Sequence, residues 1–151
     1  MLRDRIAYNS LVPEPFKKLY DLSMSVHKSG IGTKLLDLVF LRVSQINGCA
    51  FCLDIHARDL LKQGEDLQRI VSLDAWRDSD FYNDKERAAL DWAERVNALD
   101  EHGLDAAGTE LKQHFNEREI VELTFAVATI NAWNMLNVSF RTPVERKALA
   151  A

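Results

Sequence analysis

Two cysteines and one histidine lie within a short segment of this sequence and supply its most reactive side chains. Cys49 and Cys52 are three positions apart and are the only cysteines in the chain, and His56 follows four positions after the second. Spacings of three, four and seven residues return a side chain to one face of an α-helix. A helix that begins after Gly48 therefore carries both thiols and the imidazole on a single face.

This face is typical of a redox dithiol. A free thiol has a pKa of about 8.5, and only its thiolate attacks disulfides or peroxides. The imidazole of His56 can accept the proton of Cys52, and the unpaired N–H groups at the start of the helix also favour an anion. A two-residue spacer permits the Cα separation of a disulfide, so Cys49 can capture Cys52 after oxidation.

Two other interpretations of the same residues remain open at the level of sequence. Cys49 and Cys52 could be small buried hydrophobes beside an ordinary histidine. They could also bind zinc together with His56, but a structural zinc site uses four ligands and this segment offers three. The other three histidines of the chain are scattered and form no second pair.

The CxxCxxxH motif, preceded here by SQINGC, resembles the signature of the alkylhydroperoxidase D and carboxymuconolactone decarboxylase superfamily, in its single-domain, peroxidase-related branch. The segments FYNDKERAALDWAERV and ELTFAVATINAWNML are similar to the same branch, so the resemblance covers residues 14–143. In that superfamily an acidic residue stands twelve positions before the first cysteine, and here it is Asp37 where glutamate is usual. Met135 replaces an arginine that often follows NAWN.

The resemblance also implies roles for residues outside the motif. On the sequence alone, Asp37 is a solvated or capping carboxylate, whereas the related motif uses its acidic residue to orient the histidine and accept its proton. Ser44 and Gln45 lie on the same side of the predicted helix as Asp37, and we expect them to hydrogen-bond the site residues. The predicted catalytic residues are Cys52, Cys49, His56 and Asp37.

The function that the resemblance implies is thiol-dependent reduction of alkyl hydroperoxides in antioxidant defence. In the cycle that we assign, Cys52 attacks the hydroperoxide and becomes a sulfenic acid, which Cys49 captures as a disulfide. An external dithiol, thioredoxin-like or lipoyl, then reduces the pair. The order of the cysteines stays open, because Cys52 is nearer the base in sequence and Cys49 is nearer the helix N-terminus.

Two alternative functions accompany this prediction. The protein could be a redox adaptor whose dithiol passes electrons to a partner without meeting peroxide. It could also be a lactone decarboxylase or isomerase of the same superfamily, but that chemistry needs no cysteine pair. No Gly-rich phosphate loop or nucleotide fingerprint occurs, so neither a nicotinamide nor a flavin cofactor is predicted, and no metal is predicted.

Composition indicates an ordinary globular domain that spans residues 1–151, with its core in residues 14–143. Hydrophobic residues make up 47% and charged residues 28%, and 19 basic against 23 acidic residues give a net charge of −4. We do not expect nucleic acid to be a partner, because no basic tract is present. No signal peptide or membrane span is recognised, so we expect a cytoplasmic protein, where a close cysteine pair is typically catalytic or metal-binding.

Periodic apolar residues predict an all-α fold, a single-domain bundle of about six to eight helices. Thr33 is predicted to cap the second helix, and capping boxes are predicted at Asn83 with Glu86 and at Asn116 with Glu119. The predicted helices cover residues 14–28, 33–47, 49–63, 65–76, 84–99, 104–115 and 117–140.

Two predicted helical segments, residues 35–43 and 120–138, are apolar on more than one face. A chain of this size has limited interior to hide them, so we expect a homo-oligomer. The resemblance points to a trimer of dimers. Within the second segment, Asn131 and Asn134 are expected to be hydrogen-bonded or to line a cavity, because an unpaired buried amide costs about 1–3 kcal/mol.

Overall fold

The computed structural model describes residues 5–147, and this part of the chain is α-helical without β-strands. The all-α prediction is confirmed. Eight α-helices and one 3-10 helix follow one another in the described residues: α1 (Tyr8–Leu11), α2 (Pro13–His27), α3 (Thr33–Asn47), α4 (Ala50–Lys62), α5 (Leu67–Ser72), the 3-10 helix (Leu73–Asp78), α6 (Asp84–Ala98), α7 (Glu101–Leu111) and α8 (Glu117–Phe140).

Helix α3 lies at the centre of the fold and packs against α4, α6 and α8. Its apolar side chains from residue 36 to residue 43 are buried all round because neighbours cover it on several sides, and Ile46 near its end is 44% exposed. The prediction that residues 35–43 leave apolar surface for a partner subunit is therefore wrong. The buried apolar residues of α3 are Leu36, Leu38, Val39, Phe40, Leu41 and Val43.

The hydrophobic core consists of two clusters that meet at α3. The first lies between α3, α6 and α8 and includes both cysteines, so the dithiol is part of the packed interior. The second surrounds the 3-10 helix, where Leu73 and Trp76 are buried against Leu60 of α4 and Leu90 of α6. The position of α4 is therefore set by both clusters.

Hydrogen bonds at the helix starts explain where the predicted bounds hold and where they shift. Both capping boxes are present as predicted. The predicted cap at Thr33 is wrong, because Gly32 occupies the cap position and Thr33 is the first residue of α3. Two helices begin elsewhere than predicted because aspartates cap them: Asp66 accepts the N–H of Gln68 (2.7 Å) and Asp100 accepts that of Gly103 (3.1 Å).

The predicted helix over residues 65–76 is in fact two elements. Helix α5 ends at Ser72, and the 3-10 helix that follows contains a non-helical residue at Ala75 (φ −109°, ψ 31°). Burial of Leu73 and Trp76 in the second cluster holds the chain in this tighter path. Tertiary packing decides the conformation here against the helical pattern of the sequence.

Helix α8 has one face inside the protein and an apolar stripe on the outside. The α8 stripe consists of Val121, Phe125, Met135 and Val138, whose side chains are 55%, 53%, 66% and 46% exposed. Val121, Phe125 and Met135 lie on one side of the helix, opposite buried residues such as Ile130, and Val138 lies at the edge of that side. The prediction of more than one apolar face is confirmed for this helix.

Within residues 5–147, no helix has the length and apolar character needed to cross a membrane.

Asn134, which is buried, and Asn131, which is half-buried, are both hydrogen-bonded on α8, as predicted. Asn134 is 2% exposed, and its Nδ2 donates to Ser44 Oγ of α3 at 3.0 Å. Its Oδ1 accepts from Asn47 Nδ2, also at 3.0 Å. Asn131 donates to Asn97 of α6. These amides tie α3, α6 and α8 together and remove the cost of burying polar groups in the core.

Glu94 connects its own helix α6 to α3 and to the 3-10 helix. Its Oε1 accepts hydrogen bonds from Arg42 Nε of α3 (2.7 Å) and from Trp76 Nε1 of the 3-10 helix (2.8 Å), and its Oε2 accepts from Arg77. Burial by itself would raise the pKa of Glu94, but the hydrogen bonds from Trp76, Arg42 and Arg77 outweigh it and hold the pKa below the ordinary value.

We predict that Glu94→Gln lowers the free energy of unfolding at pH 7 by about 1–3 kcal/mol, because two guanidinium groups lose their shared carboxylate. The depressed pKa means that the charged carboxylate stabilises the folded state. This contribution is complete above the ordinary glutamate pKa of 4.5 and is lost as the pH falls through the folded-state value. Urea unfolding measured from pH 7 down to pH 3 should show the difference from wild type shrinking.

Glu145→Gln is the matched control, because Glu145 is 78% exposed and, within residues 5–147, forms its ion pair with the exposed Lys147. That variant should unfold like the wild type at every pH. Equal stability of the Glu94→Gln variant and the wild type at pH 7 would contradict the role of Glu94.

Candidate active site

The turn between α3 and α4 brings the cysteines into the core. Gly48 ends α3 in the left-handed region (φ 67°, ψ 34°), a conformation that glycine adopts without the cost of a Cβ. The N–H of Cys49 then donates to the carbonyl of Ser44 at 3.1 Å. This tight turn makes Cys49 the N-cap of α4, as the Asn-Gly break in the sequence predicts.

Cys49 and Cys52 form a disulfide with a Cα–Cα separation of 5.3 Å. The sulfur of Cys49 also accepts the N–H of Cys52 at 3.3 Å, so a sulfur takes the place of the oxygen that usually caps a helix. The two residues are 1% and 3% exposed. The predicted dithiol at a helix start is thus present, and it is shielded from bulk water.

Asp37 and His56 form a hydrogen-bonded pair between α3 and α4. Asp37 Oδ1 is 3.0 Å from His56 Nδ1, and Asp37 is 3% exposed. The interpretation of Asp37 as a solvated or capping carboxylate is therefore wrong. Because an ionised carboxylate only accepts hydrogen bonds, Nδ1 of the neutral imidazole carries the proton, and Nε2 is the nitrogen that can accept one.

Gln63 holds the second oxygen of Asp37, a contact that sequence analysis missed. Its Nε2 donates to Asp37 Oδ2 at 2.6 Å and to the carbonyl of Asp59 at 3.1 Å. Its own Oε1 accepts from Thr33 Oγ1 at 2.8 Å. Gln63 lies seven residues after His56, and this helical spacing could have indicated that both side chains face the same partner. Both carboxylate oxygens of Asp37 are therefore fixed.

One group of potential metal ligands occurs in the described part of the chain. The ligand atoms of Asp37, His56 and Asp59 lie within 4.8 Å of one another, and neither cysteine belongs to the group. The same Asp37 oxygens accept from His56 and Gln63. A divalent cation at this position would therefore have to replace these hydrogen bonds.

A cavity of about 380 Å³ lies beside the site and is mainly apolar. Polar groups reach it from His56, Asn137 and Tyr8. The aromatic ring of Phe40 packs against His56 with a centroid separation of 5.0 Å and also lines the cavity. A small apolar molecule can be held next to the histidine. The apolar lining is Ile6, Phe16, Met24, Phe51, Ile55, Ile130 and Trp133, among others.

Asn137 of α8 contacts the disulfide and was not found from the sequence. Its Nδ2 is 3.6 Å from Cys52 Sγ, and its Oδ1 accepts from the hydroxyl of Tyr8 at 3.1 Å. Burial raises the pKa of the Tyr8 hydroxyl, although a hydrogen bond with Thr142 acts in the opposite direction. The only sequence signal for Asn137 is its place one helical turn after Asn134 in an apolar helix.

Ser44 and Gln45, which were both expected to hydrogen-bond the site residues, have different partners in the structure. Ser44 supports the turn through its carbonyl, which accepts from Cys49, and its hydroxyl accepts from Asn134. The Gln45 amide instead accepts from Arg42 Nη1 at 3.2 Å. Among the described residues, its side chain has no hydrogen bond to His56 or to either cysteine.

Comparisons with known proteins show the family and the fold of this chain. Residues 13–95 match the model of the carboxymuconolactone decarboxylase family. The uncharacterized protein YdfG of Bacillus subtilis is 34% identical over 139 residues, which is 91% of this chain and 95% of the relative.

Solved structures extend the similarity to the whole fold. A protein of unknown function from Agrobacterium tumefaciens, a candidate antioxidant defence protein AhpD, superposes with a TM-score of 0.90 at 40% identity, covering 95% of this chain and 100% of that one. An uncharacterized peroxidase-related protein from Ralstonia eutropha, described as an alkylhydroperoxidase AhpD core, has a TM-score of 0.82 at 15% identity, covering 91% and 74%. The second likeness concerns the fold alone.

We predict that His56→Gln slows alkylation of the reduced dithiol by iodoacetamide at pH 7, because the acceptor for the thiol proton is removed. The deficit should shrink at alkaline pH, where hydroxide deprotonates the thiol directly. Asp37→Asn should act in the same direction but more weakly, since it works through the histidine. The measurement is the alkylation rate as a function of pH.

His102→Gln, a substitution at an exposed histidine of α7, is the matched control and should leave the rate profile unchanged. A profile for His56→Gln that coincides with the wild type from pH 6 to pH 10 would remove His56 from the chemistry.

Proposed function

The chain belongs to the carboxymuconolactone decarboxylase family, and from that membership we propose that it is a thiol-dependent peroxidase that reduces organic hydroperoxides. The observation that carries the proposal is the buried Cys49–Cys52 disulfide at the start of α4, one turn before a histidine that is hydrogen-bonded to Asp37. The likeness to the AhpD candidate from Agrobacterium tumefaciens supports it.

In the proposed cycle, His56 Nε2 accepts the proton of the Cys52 thiol, and the thiolate attacks the outer oxygen of the hydroperoxide. The O–O bond breaks, Cys52 becomes a sulfenic acid, and the alkoxide takes a proton to leave as the alcohol. The Cys49 thiol then displaces water from the sulfenic acid to form the disulfide. An external dithiol supplies two electrons and two protons, restores both thiols and is itself oxidised to a disulfide.

Asp37 contributes to this cycle through the histidine. An imidazolium that forms when His56 accepts a proton is stabilised by the adjacent carboxylate, in the manner of an acyl-transfer triad. Gln63 keeps the carboxylate in place with a hydrogen bond to its other oxygen. Aspartate is one methylene shorter than glutamate, yet here it contacts Nδ1 directly, so its length is sufficient for this role.

The burial of the two sulfurs limits which substrate and which reductant can reach them. Because Cys49 and Cys52 are 1% and 3% exposed, a small hydroperoxide and a slender dithiol such as a lipoyl arm suit the site better than a broad protein surface. A thioredoxin-like reductant would need an opening of the site. We also propose a cytoplasmic location, because the cytoplasm keeps dithiols reduced.

We also propose a homo-oligomer, specifically a trimer of dimers. The α8 stripe supports this, because its four side chains are apolar and exposed on the longest helix of the described chain. A second copy of the chain can cover it by symmetric association.

The first prediction from this proposal is steady-state consumption of cumene hydroperoxide with dihydrolipoamide as the donor. Cys52→Ser should abolish turnover because the attacking sulfur is gone. Cys49→Ser should abolish turnover as well, but it should still consume one equivalent of hydroperoxide and leave a sulfenic acid on Cys52 that dimedone traps. Thiol counting on the wild type should fall from two to zero and recover with the donor.

Each alternative has its own outcome in this assay. A redox adaptor would exchange disulfides with dihydrolipoamide but consume no hydroperoxide in any variant. A lactone decarboxylase would keep its activity on a lactone substrate in both cysteine variants. A single sulfonic acid with one persistent free thiol would contradict the resolving role of Cys49.

The second prediction is that light scattering at micromolar concentration gives a multiple of the 17.2 kDa chain mass, six for the trimer of dimers. Phe125→Lys combined with Met135→Lys should lower the measured mass, because charges on the α8 stripe oppose its burial. Val71→Lys is the matched control, since Val71 is 72% exposed on α5 and should leave the mass unchanged. A wild-type mass equal to one chain would refute assembly.

A further inference from the structure

Asn137 is a buried amide in the apolar face of α8, and the groups that it contacts are unusual for such a position. It is 6% exposed, so its polar atoms must be hydrogen-bonded within the protein. Its Nδ2 points to Cys52 Sγ at 3.6 Å, and its Oδ1 accepts from Tyr8. A disulfide sulfur is a weak acceptor, so the oxidised protein gains little from the first of these contacts.

The same contact becomes strong when Cys52 is a thiolate. A hydrogen bond to an ionised acceptor is roughly twice as strong as one between neutral groups. A buried thiolate has little water to solvate it, and burial in apolar surroundings disfavours the anion. A fixed N–H donor beside the sulfur therefore stabilises a thiolate that burial otherwise disfavours.

The two sulfurs have different donors. Cys49 Sγ accepts the backbone N–H of Cys52, which any residue at this position of the helix would supply. Cys52 Sγ, by contrast, has a side-chain donor from another helix, 85 residues away in the sequence. The donor at Cys52 can therefore be removed by substitution without changing the start of α4.

We propose that Asn137 is a catalytic residue whose amide N–H stabilises the thiolate of Cys52, and that Tyr8 is a positioning residue that keeps the amide nitrogen toward the sulfur. The thiol proton goes to His56, and no further reactant is needed. The importance of this step for turnover rests on the proposed peroxidase function. The stabilisation of the thiolate is a property of the reduced protein by itself.

The role of Tyr8 follows from the two ways in which an amide can be placed. With the amide reversed, Oδ1 would face the sulfur and its lone pairs would repel a thiolate. A thiolate selects the arrangement with Nδ2 at the sulfur, and the Tyr8 hydroxyl, which donates to Oδ1, holds the amide in that arrangement. The ring of Tyr8 is held by Phe16 and Phe140, with centroid separations of 6.1 and 5.2 Å. Tyr8→Phe keeps this packing and removes only the hydroxyl.

The experiment is the pH profile of iodoacetamide alkylation of Cys52 in a Cys49→Ser background, where one thiol remains. Asn137→Leu should move the midpoint up by about one pH unit, which slows alkylation at pH 7 about tenfold. Asn137→Asp should move it further, because a carboxylate replaces the donor. Tyr8→Phe should move it in the same direction by a smaller amount.

Asn134→Leu is the matched control on the same helix. Asn134 is equally buried, but its partners are Ser44 and Asn47 and not a sulfur. This variant should lose stability and keep the alkylation midpoint of its parent. With both cysteines present, Asn137→Leu should also make the disulfide harder to reduce by dihydrolipoamide, because the reduced form loses its stabilised thiolate.

The results separate this inference from the proposed function. Unchanged midpoints in both Asn137→Leu and Tyr8→Phe would overturn the inference, even in an active peroxidase. An equal shift in Asn134→Leu would also overturn it, since the effect would then come from loosened packing. Shifted midpoints in a protein that consumes no hydroperoxide would support the inference and refute the peroxidase.

Discussion

The buried carboxylate of Asp37 is the constraint on which the arrangement of the site depends. Asp37 lies in the central helix α3, 3% exposed, and such a charge is tolerated only with donors on its oxygens. The donors come from α4 and its C-cap residue: His56 on one oxygen and Gln63 on the other. Together with the packing of the two core clusters, satisfying the carboxylate therefore restricts the rotation of α4 against α3, and with it the direction in which the cysteines face.

The same pairing of helices removes the dithiol from water. Cys49 and Cys52 belong to the main hydrophobic cluster, so bulk solvent does not stabilise a thiolate there. In the proposed mechanism this stabilisation comes from the protein: the backbone at the start of α4, His56, and the amide of Asn137. Under the proposed function, the apolar cavity lined by His56 and Asn137 holds the small substrate, and these electrostatic interactions act in a poorly screened environment.

Helix α8 links the site to the outer surface of the protein. One side supplies Asn134, which holds α3, and Asn137, which contacts Cys52. The other side carries the exposed α8 stripe. Stability elsewhere relies on separate interactions, above all the carboxylate of Glu94 between α3, α6 and the 3-10 helix. The ion pairs of Glu94 and the buried groups of the site thus occupy opposite sides of the central helix.

The sequence by itself determined the all-α class, both capping boxes and the helix start at Cys49, because these follow from local spacing and from side chains that bond their own backbone. It also grouped Cys49, Cys52 and His56, which share one helix face. The pairing of Asp37 with His56 came from a family resemblance and not from spacing, since two helices had to meet, and the burial of Asp37 came from the tertiary structure alone. Only the tertiary structure decided the contacts between helices: Gln63 on Asp37, Asn137 on Cys52, and Gln45 turned to Arg42. Such contacts depend on how helices are rotated against one another, and this rotation is set by packing of the whole core, which no local pattern encodes.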